Sequence, residues 1–164
     1  MMIMIINISN KIRNLIMKIN NLYYKLKFSF LGVTYGKNLW VDGKIIIKGD
    51  PRNIFLKNNV RLGEGLIINS RDKIVIGNDV HISCNSQLHT GYLKLEENIS
   101  RKHFSKSITI EDNVWIASGV VISAGVKIGR NSVIGANSVV TKNIESNSFY
   151  AGIPAKKIKN LNFS

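Results

Sequence analysis

Between residues 110 and 140 the chain sets an aliphatic side chain at every sixth position: Ile110, Ile116, Ile122, Ile128, Ile134 and Val140. Four residues after each comes a second inward-looking position, filled by Val114, Val120, Val126, Ser132, Ser138 and Ile144. An α-helix repeats on about 3.6 residues and a plain strand on two, so neither explains a count of six. A solenoid does, if each hexad supplies one flat face and one corner, and three hexads close a triangular coil. Stacked coils then pair as parallel strands about 4.8 Å apart, with the repeated Ile or Val forming an aliphatic ladder down the axis. Small residues just after the aliphatics (Ala117, Ser123, Gly129, Gly135) suit tight corners. A flat sandwich needs turn signals at a spacing of about 8–12 residues, which this stretch lacks.

The same count runs upstream through Ile76, Ile82 and Leu88, through Leu56, Leu62 and Ile68, and through Val33, Leu39 and Ile45 as a first coil. Two extra residues between Ile68 and Ile76 predict a small bulge. Leu88 and Ile110 are 22 residues apart, which counts as three hexads and four more. The polar stretch "YLKLEENISRKHFSK" (92–106) is expected to project there as a loop, the kind of element that carries function on a rigid scaffold.

Residues 9–31 read as a basic amphipathic helix. Ser9 or Asn10 is a suitable cap, and Ile12, Leu15, Ile16, Ile19, Leu22, Tyr23 and Leu26 fall at helical spacing among Lys11, Arg13, Lys18, Lys25 and Lys27. Such an arm packs on its own domain or on a sister subunit; the other reading is that it lies on an anionic membrane surface. The division expected is therefore a helical arm (1–31), an all-β solenoid (32–159) and a tail (160–164). No apolar run is long enough to span a bilayer, and the first residues lack the order of a secretory signal. Net charge is +13, which favours anionic partners; no aromatic–basic platform or recognition helix points to nucleic acid. The lone cysteine, Cys84, leaves no internal disulfide, agrees with a reducing, cytoplasmic setting, and is expected as a small buried hydrophobe.

The segments "NVWI", "IGANSVVTK" and "AGIPAK" within residues 110–159 resemble the hexapeptide-repeat acyltransferases, in the branch of galactoside, maltose and polysaccharide O-acetyltransferases. The resemblance implies a left-handed parallel β-helix with an N-terminal arm and a short C-terminal cap, assembled as a homotrimer that binds acetyl-CoA between neighbouring subunits. It implies contacts to the cofactor from Trp115, Ser118, Ala136, Thr141 and Lys142, and to its phosphates from Lys156 and Lys159. It also implies that Pro154 stops the coil and that a short helix follows. No metal is expected. The activity implied is transfer of an acetyl group to a sugar hydroxyl of a bacterial surface polysaccharide or its precursor, in the cytoplasm or at the inner face of its membrane.

Such a reaction calls for a general base, and histidine suits it because its pKa lies near neutrality. The chain has three: His81, His89 and His103. Aligned on the ladder, the place where the resembled branch carries its catalytic histidine is Leu93. His89, on the outer wall at the root of the loop, is the first candidate, and His103, within the loop, is the second. His81 reads as a solvated or interface residue. Asn85, Asp79, Glu96 and Glu97 are candidate orienters of the base. Three further readings stand beside this one: a non-catalytic trimeric scaffold, an N-acetyltransferase of an amino-sugar, and a metal hydro-lyase of the γ-carbonic-anhydrase type. The last needs three histidines gathered at an interface, a pattern that the 81, 89, 103 spacing does not reproduce.

Overall fold

The computed structural model describes residues 2–94 and 102–162, with side chains described from residue 11 onward. The hexads fold into three parallel sheets that wrap a triangular axis, a left-handed β-helix of about six turns with one N-terminal helix. The first face stacks Thr34–Tyr35, Ile54–Leu56, Ile74–Ile76, Ile108–Ile110 and Lys127–Ile128. The second stacks Trp40–Val41, Arg61–Leu62, His81–Ile82, Trp115–Ile116, Val133–Ile134 and Ser148–Ala151, and the third Ile46–Gly49, Ile67–Ser70, Gln87–His89, Val121–Ile122 and Val139–Val140.

Every member of the 110–140 ladder is fully buried, as are Val114, Val120, Ser132 and Ser138. Ser132 and Ser138 are held there by hydroxyl bonds to the carbonyls of Glu145 and Gly135, which removes the cost of an unpaired buried polar group. Corners turn through left-handed backbone at Asn38, Asn59, Asp79, Asn113, Asn131 and Asn147, positions where Asn and Asp are tolerated. Their side chains continue the stacking. Asn38 donates to Asn59 (2.9 Å), Asn59 to Asp79 (2.8 Å), Asn113 to Asn131 (3.0 Å) and Asn131 to Asn147 (2.8 Å).

Four expectations are corrected. In the first coil the partners of Leu56, Leu62 and Ile68 are Tyr35, Val41 and Ile47; Val33, Leu39 and Ile45 are buried but fill the second inward position. Leu88 and Ile110 are separated by one hexad step and a sixteen-residue excursion, so no further hexads lie in the gap. The excursion leaves the wall as an antiparallel hairpin, Gly91–Lys94 against Lys102–Ser105; its residues 95–101, including Glu96 and Glu97, lie outside the described residues. At the C-terminus, the chain after Pro154 forms a strand, Lys156–Asn160, which returns antiparallel to Ser148–Ala151 and covers the edge of the last coil.

The fourth correction concerns the arm. The helix runs Met2–Leu31, so Ser9 and Asn10 lie inside it. It packs on the first coil through Asn21, Tyr24 and Phe28, while Ile12, Leu15, Ile16, Ile19, Leu22, Tyr23 and Leu26 are exposed. The open end of a solenoid presents unpaired backbone groups, and the helix supplies partners for them. Asn21 Oδ1 accepts from the Val41 amide (3.0 Å), Tyr24 Oη from the Ile45 amide (3.2 Å), and Asn20 Nδ2 donates to the Val41 carbonyl (3.3 Å).

Candidate active site

Because strand side chains alternate, the residues flanking each ladder position point outward. On the third face this puts Lys48, Asn69 and His89 in one outer column, with Asn69 in register with both of the others. His89 is half-buried, and its Nε2 lies 2.8 Å from Gln87 Oε1. An amide oxygen only accepts, so this contact fits the tautomer with the proton on Nε2 and the lone pair on Nδ1. Burial, and then the positive charge of Lys48, push the His89 pKa below its ordinary value, which favours the neutral imidazole. The orienting partner is thus Gln87. Asn85 forms a left-handed corner and Asp79 accepts from Asn59. The signal for Gln87 was its place two residues before His89 in the same strand, which puts both on one face.

His103 is exposed and stands directly across the hairpin from Leu93. Opposed residues of an antiparallel pair project on the same side, so His103 shares the side of the ribbon where the resemblance expected a histidine. Asn69, Arg71, Gly91, Tyr92, Leu93 and His103 line a shallow hollow of about 230 Å³ at the hairpin root. The two candidate histidines therefore flank one region: His89 is in register with Asn69, which lines the hollow, and His103 lines it from the hairpin.

The second face carries another outer column, Trp40, Arg61, His81 and Trp115, joined by strand register. Trp115 is 52% exposed. It stacks on His81 with ring centroids 6.3 Å apart and donates through Nε1 to Ser83 Oγ (3.2 Å). Partial burial and then the nearby Arg61 charge lower the His81 pKa.

Ser118 and Ala136 lie on successive coils at the corner between the second and third faces, where the Asn137 amide bonds to the Ser118 carbonyl. Ala136 is exposed and small, so the corner stays open to a thin ligand. Cys84 belongs to the same corner one coil earlier. It is exposed rather than buried, with Sγ 3.3 Å from Ser118 Oγ; the pairing arises from coil stacking, which residue spacing alone does not signal. Thr141 and Lys142 are exposed at the opposite edge of the third face, and Lys156 and Lys159 are exposed on the C-terminal strand. One chain thus holds the expected cofactor residues at two corners and an end. Among the described residues no group of His, Cys, Asp and Glu is placed to hold a metal.

Residues 107–142 match the family model described as bacterial transferase hexapeptide (six repeats), and the chain belongs to the hexapeptide-repeat transferase family. Galactoside O-acetyltransferase of Escherichia coli (strain K12) is 36% identical over 134 residues, which cover 79% of this chain. The chain spans 64% of that relative's length. A hexapeptide-repeat-containing acetyltransferase from Vibrio cholerae superposes with a TM-score of 0.77 at 27% identity, over 88% of this chain and 82% of that one. The same Vibrio protein is also known in complex with acetyl-CoA. A maltose O-acetyltransferase from Clostridium difficile 630 is 32% identical, with a TM-score of 0.66 over 83% of this chain and 73% of that one.

Proposed function

We propose that the protein is an acetyl-CoA-dependent O-acetyltransferase acting on a sugar hydroxyl, with a bacterial surface glycan or its precursor as acceptor. The observation that carries the reading is His89, a half-buried imidazole held by Gln87 with its pKa lowered by burial and Lys48, on the wall that leads to the open Ser118–Ala136 corner. Acetyl-CoA supplies the acyl group already activated as a thioester. The residues present suit it: the small Ala136 leaves room for the pantetheine arm, and Lys142, Lys156 and Lys159 offer charge for its phosphates. Trp115 is assigned beside the reacting groups. His89 Nδ1 would take the proton of the acceptor hydroxyl as oxygen attacks the thioester carbonyl, and would return it to the CoA sulfur as the C–S bond breaks, with Gln87 favouring the tautomer that leaves Nδ1 free.

The cofactor residues of one chain lie at separate corners, so a single chain offers half a groove at each. Assembly as a homotrimer brings Ser118 and Ala136 of one subunit opposite Thr141 and Lys142 of another, and the reaction takes place in the cytoplasm or at the inner face of its membrane.

The experiment is a thermal shift with acetyl-CoA, followed by CoA release on a panel of sugars. A ligand bound to the native state raises its stability. Acetyl-CoA at millimolar concentration should raise Tm by several degrees, and at least one sugar should release CoA. An unchanged Tm rejects the reading in favour of a non-catalytic scaffold, and release only with amino-sugars assigns N-acetylation instead. The His89 environment adds a pH signature. Protonated imidazole is no base, so kcat/KM should climb with pH as His89 loses its proton. With that pKa lowered from its ordinary value of about 6.5, the midpoint of the climb should fall below 6.5. A midpoint above 6.5 would exclude His89 as the base.

A further inference from the structure

The arm meets its own domain on one side only. Its opposite side is an exposed apolar stripe of Ile12, Leu15, Ile16, Ile19, Leu22, Tyr23, Leu26 and Phe30, each more than half exposed. At 1.5 Å per residue the stripe runs about 27 Å. Helical spacing puts Lys11, Lys18 and Lys25 along one flank and Arg13 and Lys27 along the other, and no acidic residue precedes Asp42. We propose that this face is a peripheral membrane-binding surface, with the stripe seated in the headgroup–acyl boundary of an anionic leaflet and the flanking Lys and Arg meeting lipid phosphates.

Charge decides between a bilayer and a second copy of the chain. Two such arms bring like charges together, and five of the eight described carboxylates of the β-helix are already held in ion pairs. Asp42 pairs with Arg61, Asp50 with Arg52, Glu111 with Lys127, Asp112 with Lys57 and Glu145 with Lys157. An anionic leaflet satisfies both flanks at once. An apolar stripe with cationic borders is the pattern of a helix lying in the interface plane, its long basic side chains reaching back to the headgroups. No helix among the described residues is long and apolar enough to cross a membrane, so the mode is lying on rather than spanning. The surface also suits the acceptor class proposed above, but it stands on the arm alone and survives or falls independently of acetyl transfer.

The test is flotation of the full-length protein with vesicles of equal parts phosphatidylglycerol and phosphatidylcholine, against vesicles of phosphatidylcholine alone. Wild type should float with the anionic vesicles, at least tenfold more than with neutral ones, and should be released at about 0.5 M salt, where screening is short-ranged. The double variant Leu15→Glu/Ile19→Glu changes only exposed positions and should abolish flotation with subunit count and circular dichroism unchanged. Lys18→Glu/Lys25→Glu should lower partitioning by well over tenfold, since each basic residue near the surface is worth about fivefold. Wild type left in the supernatant with anionic vesicles overturns the proposal, as does salt-insensitive binding to both compositions. Loss of subunit association in Leu15→Glu/Ile19→Glu, with no wild-type flotation, assigns the stripe to a second copy.

Discussion

His89→Ala should lower kcat/KM for acetyl transfer about 10²–10⁴-fold, the usual contribution of a positioned general base, with Tm almost unchanged. The imidazole is half-buried on the outer wall and outside the aliphatic core, so its removal opens no cavity on the axis. Its only side-chain hydrogen bond among the described residues is to Gln87. Gln87→Ala should therefore give a smaller loss and move the pH limb, because it frees the tautomer without removing the base; Gln87→Glu should retain the orientation and shift that limb upward, a carboxylate favouring the imidazolium. His103→Ala is the decisive companion, since His103 stands across from Leu93 at the mouth of the same hollow. If it loses more activity than His89→Ala, the base has moved across the hairpin ladder from the place the resemblance expected. Steady-state rates of CoA release on all four variants, with one active sugar, separate these outcomes.

How far the sequence could be read depends on what a period reports. The count of six located the ladder from Leu56 onward, because each of those aliphatics repeats on its neighbours above and below. It could not say which of two inward positions Val33, Leu39 and Ile45 filled: both recur every six residues, and only the register against Ile54, Val60 and Leu66 distinguishes them. Counting modulo six was equally blind to how much chain leaves the wall between Leu88 and Ile110. For the arm, amphipathicity named an apolar face correctly but not its use. The end of a coil needs hydrogen-bond acceptors for the Val41 and Ile45 amides, and Asn21 and Tyr24 supply them. At the site, residue type pointed to His89 and the resemblance to Ser118 and Ala136, whereas the Gln87 and Cys84 contacts depend on strand alternation and coil stacking. After Pro154 the resemblance implied a short helix, but the exposed edge of Ser148–Ala151 recruited Lys156–Asn160 as a strand.

The largest effect on stability should come from the axis. Ile122 is completely buried and in register with Leu88 on one side and Val140 on the other. Ile122→Ala should cost about 2–5 kcal/mol, the transfer energy of the lost methyl groups plus the cavity left behind, and Ile122→Val only about 0.5–1.5 kcal/mol. Val121 is the internal control. It belongs to the same strand and pairs with Gln87 and Val139, but points outward, so Val121→Ala should cost under about 1 kcal/mol. Unfolding in denaturant at one fixed protein concentration gives all three values on a common scale, since assembly alters apparent stability. A cost for Ile122→Ala no greater than for Val121→Ala would mean that the sixth-residue ladder does not hold the coils together. The contrast follows from the solenoid's connectivity. Each coil touches only its neighbours, so a cavity at Ile122 weakens two coil interfaces at once and no distant packing makes up the loss.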